Sequence, residues 1–222
     1  MLWFSFKGEM STDYDVVVNH ITPAYKPNKR VNKLIIPGKD GTLTITDDSY
    51  DDMILEIEVT ILDVYTTDDV KEWLSGSGDL VSSWNPDYKY RNASMVGVPV
   101  EYWDADLFNI KAEFVCSPFM YESDPLIHTL EASGTIINPG SRFSLPVIEV
   151  TGTGEFTVNG TVLTISETGV TINSEIEECY NGTVNKNNKV SGGFPRLDPG
   201  ENTVTLGAGI TKAVIQGNYR WF

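Results

Sequence analysis

Apolar and polar residues alternate most regularly in residues 53–62. One face of this stretch carries Glu56, Glu58 and Thr60, and the other face is entirely apolar. The apolar positions are Met53, Leu55, Ile57, Val59 and Ile61. Because successive side chains of a strand point to opposite faces, the pattern predicts a half-buried β-strand.

A helical period occurs in residues 67–74. An i, i+3, i+4 stripe is formed there by Val70, Trp73 and Leu74, and acidic residues occupy the first turn. The pattern predicts an amphipathic helix that Thr66 or Thr67 caps and that a glycine at 76 or 78 ends. Trp73 is expected to be a core residue of this helix rather than a ligand platform.

A Pro-Gly and an Asp-Gly pair lie between two short segments with strand propensity, the apolar residues 34–36 and the alternating Thr, Leu and Ile residues at 42–46. Turn residues at positions 37–41 between two strand-like segments predict a β-hairpin. Further strands of this half are expected at residues 2–6, 15–21, 80–84, 88–102, 108–116 and 126–137. The acidic pair Asp104 and Asp106 is expected at a hairpin tip, and residues 117–125 at a bridge without a strand.

The residue pattern of the sequence changes at residues 136–151. Asn138-Pro139-Gly140 supplies turn chemistry, with Gly140 free to adopt a positive φ, and Pro146 starts a new strand. We therefore place a boundary here, between domains at residues 1–135 and 136–222. Strands are expected at residues 146–150, 155–158, 161–165, 169–173, 178–180, 203–206, 212–216 and 219–222.

Short, evenly spaced strands with turn signals between them are typical of a β-sandwich or barrel. Asn159-Gly160 is expected to form one of these turns. The irregular segment at residues 194–202 is expected to pack Phe194 and Leu197 onto the sheet. The sequence thus predicts a mainly β protein with one helix.

The charge of the chain limits the partners it can bind. It has 31 acidic and 16 basic residues among 222, a formal net charge of −15. Neutralising phosphates needs clustered Lys and Arg, so specific binding of nucleic acid is not expected. The charge can serve solubility alone, or it can repel nucleic acid that passes nearby.

The sequence predicts neither secretion nor a membrane span. The N-terminus lacks the pattern of a signal peptide, and the apolar runs are too short to cross a bilayer. Cys116 and Cys179 lie on opposite sides of the predicted boundary. They are therefore expected to be free, buried thiols in a reducing compartment rather than a disulfide.

No catalytic, cofactor-binding or metal-ligating residues are predicted, and the chain is not expected to be an enzyme. His20 and His128 lie far apart, without Cys or paired acids at ligand spacing. The run Asp47, Asp48, Asp51 and Asp52 lacks the spacing, glycine and distal glutamate of a calcium loop. The alternative from another functional class is a carbohydrate-binding module or glycan-active enzyme. A sugar-binding sandwich would want exposed aromatic residues on one face, but Trp221 is the only Trp after the boundary.

Several segments resemble the distal tail protein (Dit) family of long-tailed, non-contractile bacteriophages and prophages. The most characteristic is Ile36-Pro37-Gly38-Lys39-Asp40-Gly41, preceded by Lys29-Arg30-Val31. The other segments are Phe4–Gly8, Ser11–Tyr14, Asn138–Gly140, Pro146–Glu155 and Phe194–Asn202. Taken in order, these segments span nearly the whole chain.

The resemblance implies a virion structural protein at the distal end of a phage tail, made in the host cytoplasm. Family members form a homo-hexameric baseplate hub that joins the tail tube protein to a tail-associated tip protein. It implies an N-terminal β-sandwich or split-barrel domain with one helix, which builds the ring. The C-terminal galectin-like β-sandwich is expected to hold receptor-binding proteins or to contact host cell-wall glycans during host adsorption.

A hexameric ring would enclose a lumen through which the genome passes. An acidic wall would repel phosphates within the screening length, about 8 Å at physiological salt. We hypothesise that acidic loops of the first domain line this lumen. Asp47, Asp48, Asp51 and Asp52 are one candidate loop; alternatively they only solubilise an exposed turn.

Overall fold

The chain divides between Ser123 and Asp124 into two β-rich units. The computed structural model describes residues 1–23, 25–46, 48–96, 100–104 and 107–222; of Val64 and of residues 100–104 and 107 it describes the backbone alone. The first unit comprises residues 1–123 together with the C-terminal Phe222, and the second comprises residues 124–221. The predicted boundary at 135/136 lies inside the second unit.

The first unit is built on an antiparallel sheet of nine strands with the order β2-β1-β7-β8-β10-β6-β3, in which β11 also pairs with β8 and β9 with β10. A separate hairpin is formed by β4 and β5. The strands are β1 (Phe4–Phe6), β2 (Glu9–Met10), β3 (Val16–Ile21), β4 (Asn32–Ile35), β5 (Thr42–Ile45), β6 (Met53–Ile61), β7 (Ser77–Ser82), β8 (Tyr88–Met95), β9 (Val100–Asp104), β10 (Leu107–Cys116) and β11 (Met120–Glu122).

Strand β6 confirms the alternation in the sequence. Its five odd-numbered residues, from Met53 to Ile61, are all buried, whereas Ile54 and Glu58 are exposed. It lies between β10 and β3, and its pairing with β10 runs in register from Phe108↔Ile61 to Cys116↔Met53. This long pairing places the apolar face of β6 in the core of the first unit.

The helix α1 (Thr67–Leu74) has the predicted bounds, and its apolar stripe is buried. Trp73 stacks on Phe4 and on Tyr14, with ring centroids 5.0 and 4.3 Å apart, and its Nε1 donates to Phe6 O at 3.3 Å. The helix ends before Gly76, whose φ is +79°. Trp73 is therefore a core residue, as predicted.

Thr66 is the N-cap residue of this helix, as predicted, but its side chain does not cap the helix. No side-chain capping hydrogen bond is present at Thr66, whose hydroxyl instead donates to Asp63 O at 2.9 Å. A 3₁₀ turn at Val64–Thr66 leads directly into α1, so the threonine is engaged by the turn that precedes the helix.

Among the described residues, no helix has both the length and the apolar character that crossing a bilayer requires.

The second unit consists of two antiparallel sheets, with the orders β12-β22-β14-β17-β18-β19 and β13-β21-β15-β16-β20. Its strands are β12 (Ile127–Leu130), β13 (Gly134–Asn138), β14 (Val147–Gly152), β15 (Gly154–Val158), β16 (Thr161–Ile165), β17 (Val170–Asn173), β18 (Glu178–Asn181), β19 (Val184–Asn185), β20 (Val190–Gly192), β21 (Gly200–Leu206) and β22 (Ile210–Gln216). Further 3₁₀ turns occur at Ser11–Asp13 and Asn187–Lys189.

One apolar core joins the two sheets of the second unit into a β-sandwich. Ile148 and Ile215 come from one sheet, Phe156 and Val204 from the other, and all four are fully buried. Leu197 is buried in this core and Phe194 packs against it, as predicted for the irregular segment. The mainly β fold with a C-terminal sandwich is thus confirmed.

The predicted strand at residues 126–137 is wrong, because two strands of different sheets occupy it. β12 pairs with β22, and β13 pairs with β21. Both partners belong to the second unit, so long-range pairing moves the boundary back to residues 123/124.

Other details of the predicted strands also differ. Strand β11 lies in the predicted bridge at 117–125, where it pairs with β8. Residues 219–222 form no strand: Arg220 makes an isolated bridge with Arg142, and Trp221 is a further bridge residue. Strands β9 and β10 pair as predicted, but the tip residues 105 and 106 lie outside the described residues.

Two predicted features depend on small residues. Asn159 and Gly160 form the expected turn, with φ values of +48° and +83°. Gly140, in contrast, has no positive φ; a Cβ there would lie 2.6 Å from Arg220 O, so the close approach of the two backbone segments requires the glycine.

Cys116 and Cys179 are free and buried, as the sequence predicts.

Candidate interaction surface

The hairpin β4–β5 is the most unusual surface of the first unit. All residues from 28 to 46 are exposed, including all eight residues of the two strands. The strands pair in the register Asn32↔Ile45 to Ile35↔Thr42. The Pro-Gly and Asp-Gly turn predicted from the sequence closes the hairpin, and both glycines have a φ of +80°.

The register gives the hairpin two different faces. Residues opposite each other share a face, and side chains alternate along each strand. Leu34, Leu43 and Ile45 therefore lie on one face, which we call the aliphatic face; their exposed fractions are 54%, 42% and 51%. Lys33, Thr42 and Thr44 lie on the other face, together with Ile35.

An exposed aliphatic face on an isolated hairpin suggests that another surface covers it. Two-stranded hairpins are marginally stable in water unless they pack against something else. Contiguous exposed apolar surface is typical of protein interaction sites. The outer edges of β4 and β5 also belong to a sheet of only two strands, so they can accept a further strand.

The base of the hairpin is held by ion pairs. Lys29 Nζ lies 2.6 Å from Asp48 Oδ1, and Arg30 Nε lies 3.1 Å from Asp51 Oδ1. Backbone bonds join the same segments, from Arg30 N to Ser49 O at 3.0 Å and in the Lys29↔Tyr50 bridge. The hairpin thus projects from a base that is fixed in the first unit.

Tyr50 anchors this base to a small aromatic cluster of the first unit. Its ring lies 5.5 Å from that of Phe119 and 5.2 Å from that of Phe222, measured between centroids. Tyr50, Phe119 and Tyr121 are buried in this cluster. The position of the hairpin is therefore set by packing as well as by surface charge.

The ion pairs change the interpretation of the aspartate run. Asp48 and Asp51 lie beside cations from the preceding loop, so their negative charge is partly neutralised locally. Both pairs are exposed, and such pairs contribute about 0–1 kcal/mol to stability. Asp47 lies outside the described residues.

A second candidate is an open, acidic groove of about 610 Å³ beside α1. Glu9, Asp13, Asp15, Asp69 and Glu72 line it, together with Lys7, Tyr14 and Trp73. The Tyr14 hydroxyl donates to the Glu9 carboxylate.

The Tyr14 phenol is held in its protonated form in this groove. Burial and the hydrogen bond to Glu9 raise the pKa of Tyr14 to about 12, so this phenol stays protonated at neutral pH. Among the described residues, no three His, Cys, Asp or Glu side chains are grouped as a metal site would require.

Each unit contains one of the two histidines and one of the two thiols. His20 lies on β3 of the first unit, and His128 lies on β12 of the second, where its Nε2 is 2.8 Å from Tyr219 Oη. Burial raises the pKa of the Cys116 thiol to about 12 and also raises that of Cys179. These thiols are therefore poor nucleophiles at neutral pH.

Nothing in the second unit marks a sugar-binding platform. Trp221 is half-buried and packs against the sandwich core. A pocket of about 220 Å³ has a mixed lining, in which Leu163, Val190 and Phe194 lie beside Glu177 and Asn187.

The comparisons with known proteins identify the fold. A solved structure similar to this chain is the crystal structure of the Dit (gp 19.1) protein of phage SPP1, with a TM-score of 0.70 and 17% sequence identity. The match covers 97% of this chain and 98% of that one. The chain has a Dit-like fold. No protein-family model and no curated protein sequence matches it.

The SPP1 protein is described as a paradigm of the hub adsorption apparatus in phages that infect Gram-positive bacteria. The Dit-like fold agrees with the family resemblance of the sequence segments. The sequence located the hairpin through its turn residues, but it did not reveal that the aliphatic face is exposed. The available signal was the continuous apolar run Leu34-Ile35-Ile36, which is atypical of a strand with one solvated face.

Proposed function

We propose that this chain is a distal tail protein of a phage or prophage with a long, non-contractile tail. In this role six copies form a baseplate hub that joins the tail tube protein to the tail-associated tip protein. The observation that carries the proposal is the Dit-like fold, which extends over nearly the whole chain. The order of the Dit-like segments in the sequence supports the same role independently of the structure.

The hairpin provides a contact through which copies can associate. A closed ring requires a head-to-tail contact between two different patches, repeated around an axis. The aliphatic face is one such patch: it projects from a fixed base and leaves Leu34, Leu43 and Ile45 exposed. Burying side chains of this kind contributes about 1.5–3 kcal/mol each.

An acidic lumen remains part of the proposal. Residues 1–123 carry 21 acidic and 10 basic residues, so the unit proposed to build the ring is the more acidic one. The aspartate run contributes less negative potential than its sequence suggests. Lys29 forms an ion pair with Asp48, and Arg30 forms one with Asp51.

The second unit is proposed to face outward, where it holds receptor-binding proteins or contacts cell-wall glycans during adsorption. A carbohydrate-binding module is the alternative from another class. A glycan array separates the two, because a dedicated module would bind a defined sugar without any tail component.

The experiment that tests the proposal is a mass measurement of the full chain over a range of concentrations. We expect a species of six 24.6-kDa chains at high concentration. Native mass spectrometry identifies its stoichiometry, and negative-stain electron microscopy shows whether it is a ring. A stable dimer or tetramer that does not convert to a hexamer would contradict the proposal.

A further inference from the structure

The tetrapeptide Asn-Gly-Thr-Val occurs twice in the second unit, at residues 159–162 and 181–184. Each copy closes a β-hairpin with a loop of two residues. The first hairpin joins β15 to β16, and the second joins β18 to β19. Since the four residues are the same, a difference in chemical reactivity between the two asparagines reports on the fold around them.

In the first hairpin the asparagine is a loop residue, and both polar atoms of its side chain are held. Asn159 and Gly160 form the loop, with φ values of +48° and +83°, as in a type I′ turn. Asn159 Nδ2 donates to Asn202 Oδ1 at 2.6 Å, and Asn159 Oδ1 accepts from Thr203 N at 3.0 Å. Asn202 is fully buried, so it fixes the Asn159 amide to the sandwich.

In the second hairpin the asparagine lies one position earlier relative to the turn. Asn181 is the last residue of β18 and pairs with Val184, so the loop consists of Gly182 and Thr183. Gly182 has a φ of +58°, as the first loop position of a type II′ turn requires. Asn181 is exposed, and its side chain makes no hydrogen bond or ion pair with any residue that the structure describes.

An asparagine followed by glycine is prone to spontaneous deamidation, because glycine has no Cβ to shield its backbone nitrogen. At the second copy, Gly182 N attacks Cγ of Asn181 and loses its proton to solvent. Asn181 Nδ2 takes up a proton and leaves as ammonia, so that a five-membered succinimide ring forms. Water then opens the ring at either carbonyl and gives aspartate or isoaspartate.

Hydrogen bonds decide which copy reacts. Ring closure requires the side chain to rotate until Cγ reaches the next backbone nitrogen. At Asn159 this rotation breaks the bonds to Asn202 and Thr203, whereas at Asn181 no side-chain bond has to break. The backbone at Asn181 is also easier to rearrange, because β19 is an edge strand of only two residues and edge segments open locally at low cost.

We propose that Asn181 is a site of spontaneous deamidation and that the hydrogen bonds to Asn202 and Thr203 protect Asn159 from the same reaction. The product carries one more negative charge, and isoaspartate also inserts a methylene carbon into the main chain before the loop. This extra atom does not fit a turn of two residues, so β19 loses its register with β18. The modification requires neither the hexamer nor the tail, so its failure and the failure of the proposed function are distinguishable.

The test incubates the folded full chain at mildly alkaline pH, where a backbone nitrogen loses its proton more readily. Mass spectrometry of proteolytic peptides follows the conversion of amide to acid at both copies. We expect Asn181 to deamidate about tenfold faster than Asn159, because two hydrogen bonds must first open at Asn159. In guanidinium chloride, which removes the contacts of the fold, the two copies should convert at similar rates.

Two matched variants at exposed positions assign the product. Asn181→Gln should remove most of the acidic species that accumulates in ion-exchange chromatography, because glutamine would have to close a larger ring and reacts much more slowly. Asn159→Gln should leave the accumulation of this species at the wild-type rate.

Equal rates at the two copies in the folded chain, or a faster reaction at Asn159, would overturn the proposal. A folded chain in which Asn181 stays intact, while the denatured chain converts both copies, would also overturn it, because the second hairpin would then protect its asparagine as well.

Discussion

Leu34 lies directly opposite Leu43 in the hairpin register, and both side chains are about half exposed. Cross-strand leucines usually gain stability from a core that covers them, as the apolar residues of β6 do. Here the pair lies on a sheet of two strands, where no described strand of the larger sheets joins it. We interpret the pair as the centre of a contact made between chains.

The first prediction concerns this pair. Replacing both residues, Leu34→Ser and Leu43→Ser, should weaken self-association at least tenfold. Each side chain is about half exposed, so each loses about half of the ~1.5–3 kcal/mol that full burial contributes. The stability of the isolated chain should change little, since neither side chain is buried. Sedimentation over a concentration series measures the first effect, and thermal unfolding measures the second.

Val162→Ser is the matched control for the hairpin variant. Val162 is similarly exposed but lies on β16 of the second unit. It should leave self-association unchanged. Equal effects of the control and the hairpin variant would show that general surface hydrophobicity, and not the aliphatic face, drives association.

The second prediction concerns the anchoring of α1. Trp73→Ala should lower the free energy of unfolding by about 3–5 kcal/mol, since it removes a buried ring that stacks on Phe4 and Tyr14. Trp84→Ala is the control, because Trp84 is 54% exposed; it should cost much less. Urea denaturation measures both, and similar losses would mean that Trp73 is not a core residue.

The third prediction concerns alkaline pH. Burial and Glu9 raise the pKa of Tyr14 from 10.0 to about 12, and burial raises that of Cys116 from 9.0 to about 12. As pH rises, the unfolded chain loses these protons first, so it binds fewer protons than the folded chain within this window. Stability should therefore fall progressively from about pH 9 to pH 12.

Tyr14→Phe should make this fall shallower, whereas Tyr65→Phe, at an exposed phenol, should not. The midpoint of urea unfolding, measured at pH values within and below the window, provides the readout. A wild-type midpoint that stays constant across the window would contradict the raised pKa values.

The fourth prediction concerns the boundary. A fragment of residues 124–221 contains both sheets and the whole core of the sandwich, so it should fold alone and unfold cooperatively. A fragment of residues 136–222 follows the boundary predicted from the sequence and lacks β12. It should be much less stable, because β22 loses a paired strand. Circular dichroism during thermal unfolding compares the two, and equal stability would favour the later boundary.

The features that the sequence predicted depend on local information. The alternation of residues 53–62, the helical stripe of α1 and the Asn159-Gly160 turn are set by neighbouring residues. The hairpin was predicted for the same reason, because its turn residues lie between its two strands. In the Dit-like segments, local motifs and their order along the chain were enough to indicate the fold.

The features that could not be predicted from the sequence depend on contacts between residues that lie far apart along the chain. Residues 126–137 form two strands because β22 and β21 lie far along the chain and belong to different sheets. Gly140 is required by the carbonyl of Arg220, which no local pattern reveals. The contacts of Arg142, Arg196 and Arg220 with the Phe143 ring arise in the same way, since these residues meet only after the sandwich has formed.

The central claim is that six copies of this chain form a ring in the tail, with the aliphatic face of each hairpin buried. Electron cryomicroscopy of assembled tails that contain the chain tests it most directly, because tail partners can drive assembly of a chain that is monomeric alone. We expect six copies around the tail axis, with Leu34 and Leu43 covered by a neighbouring copy. One, two or three copies at that position, or hairpins that remain exposed to solvent, would contradict the account.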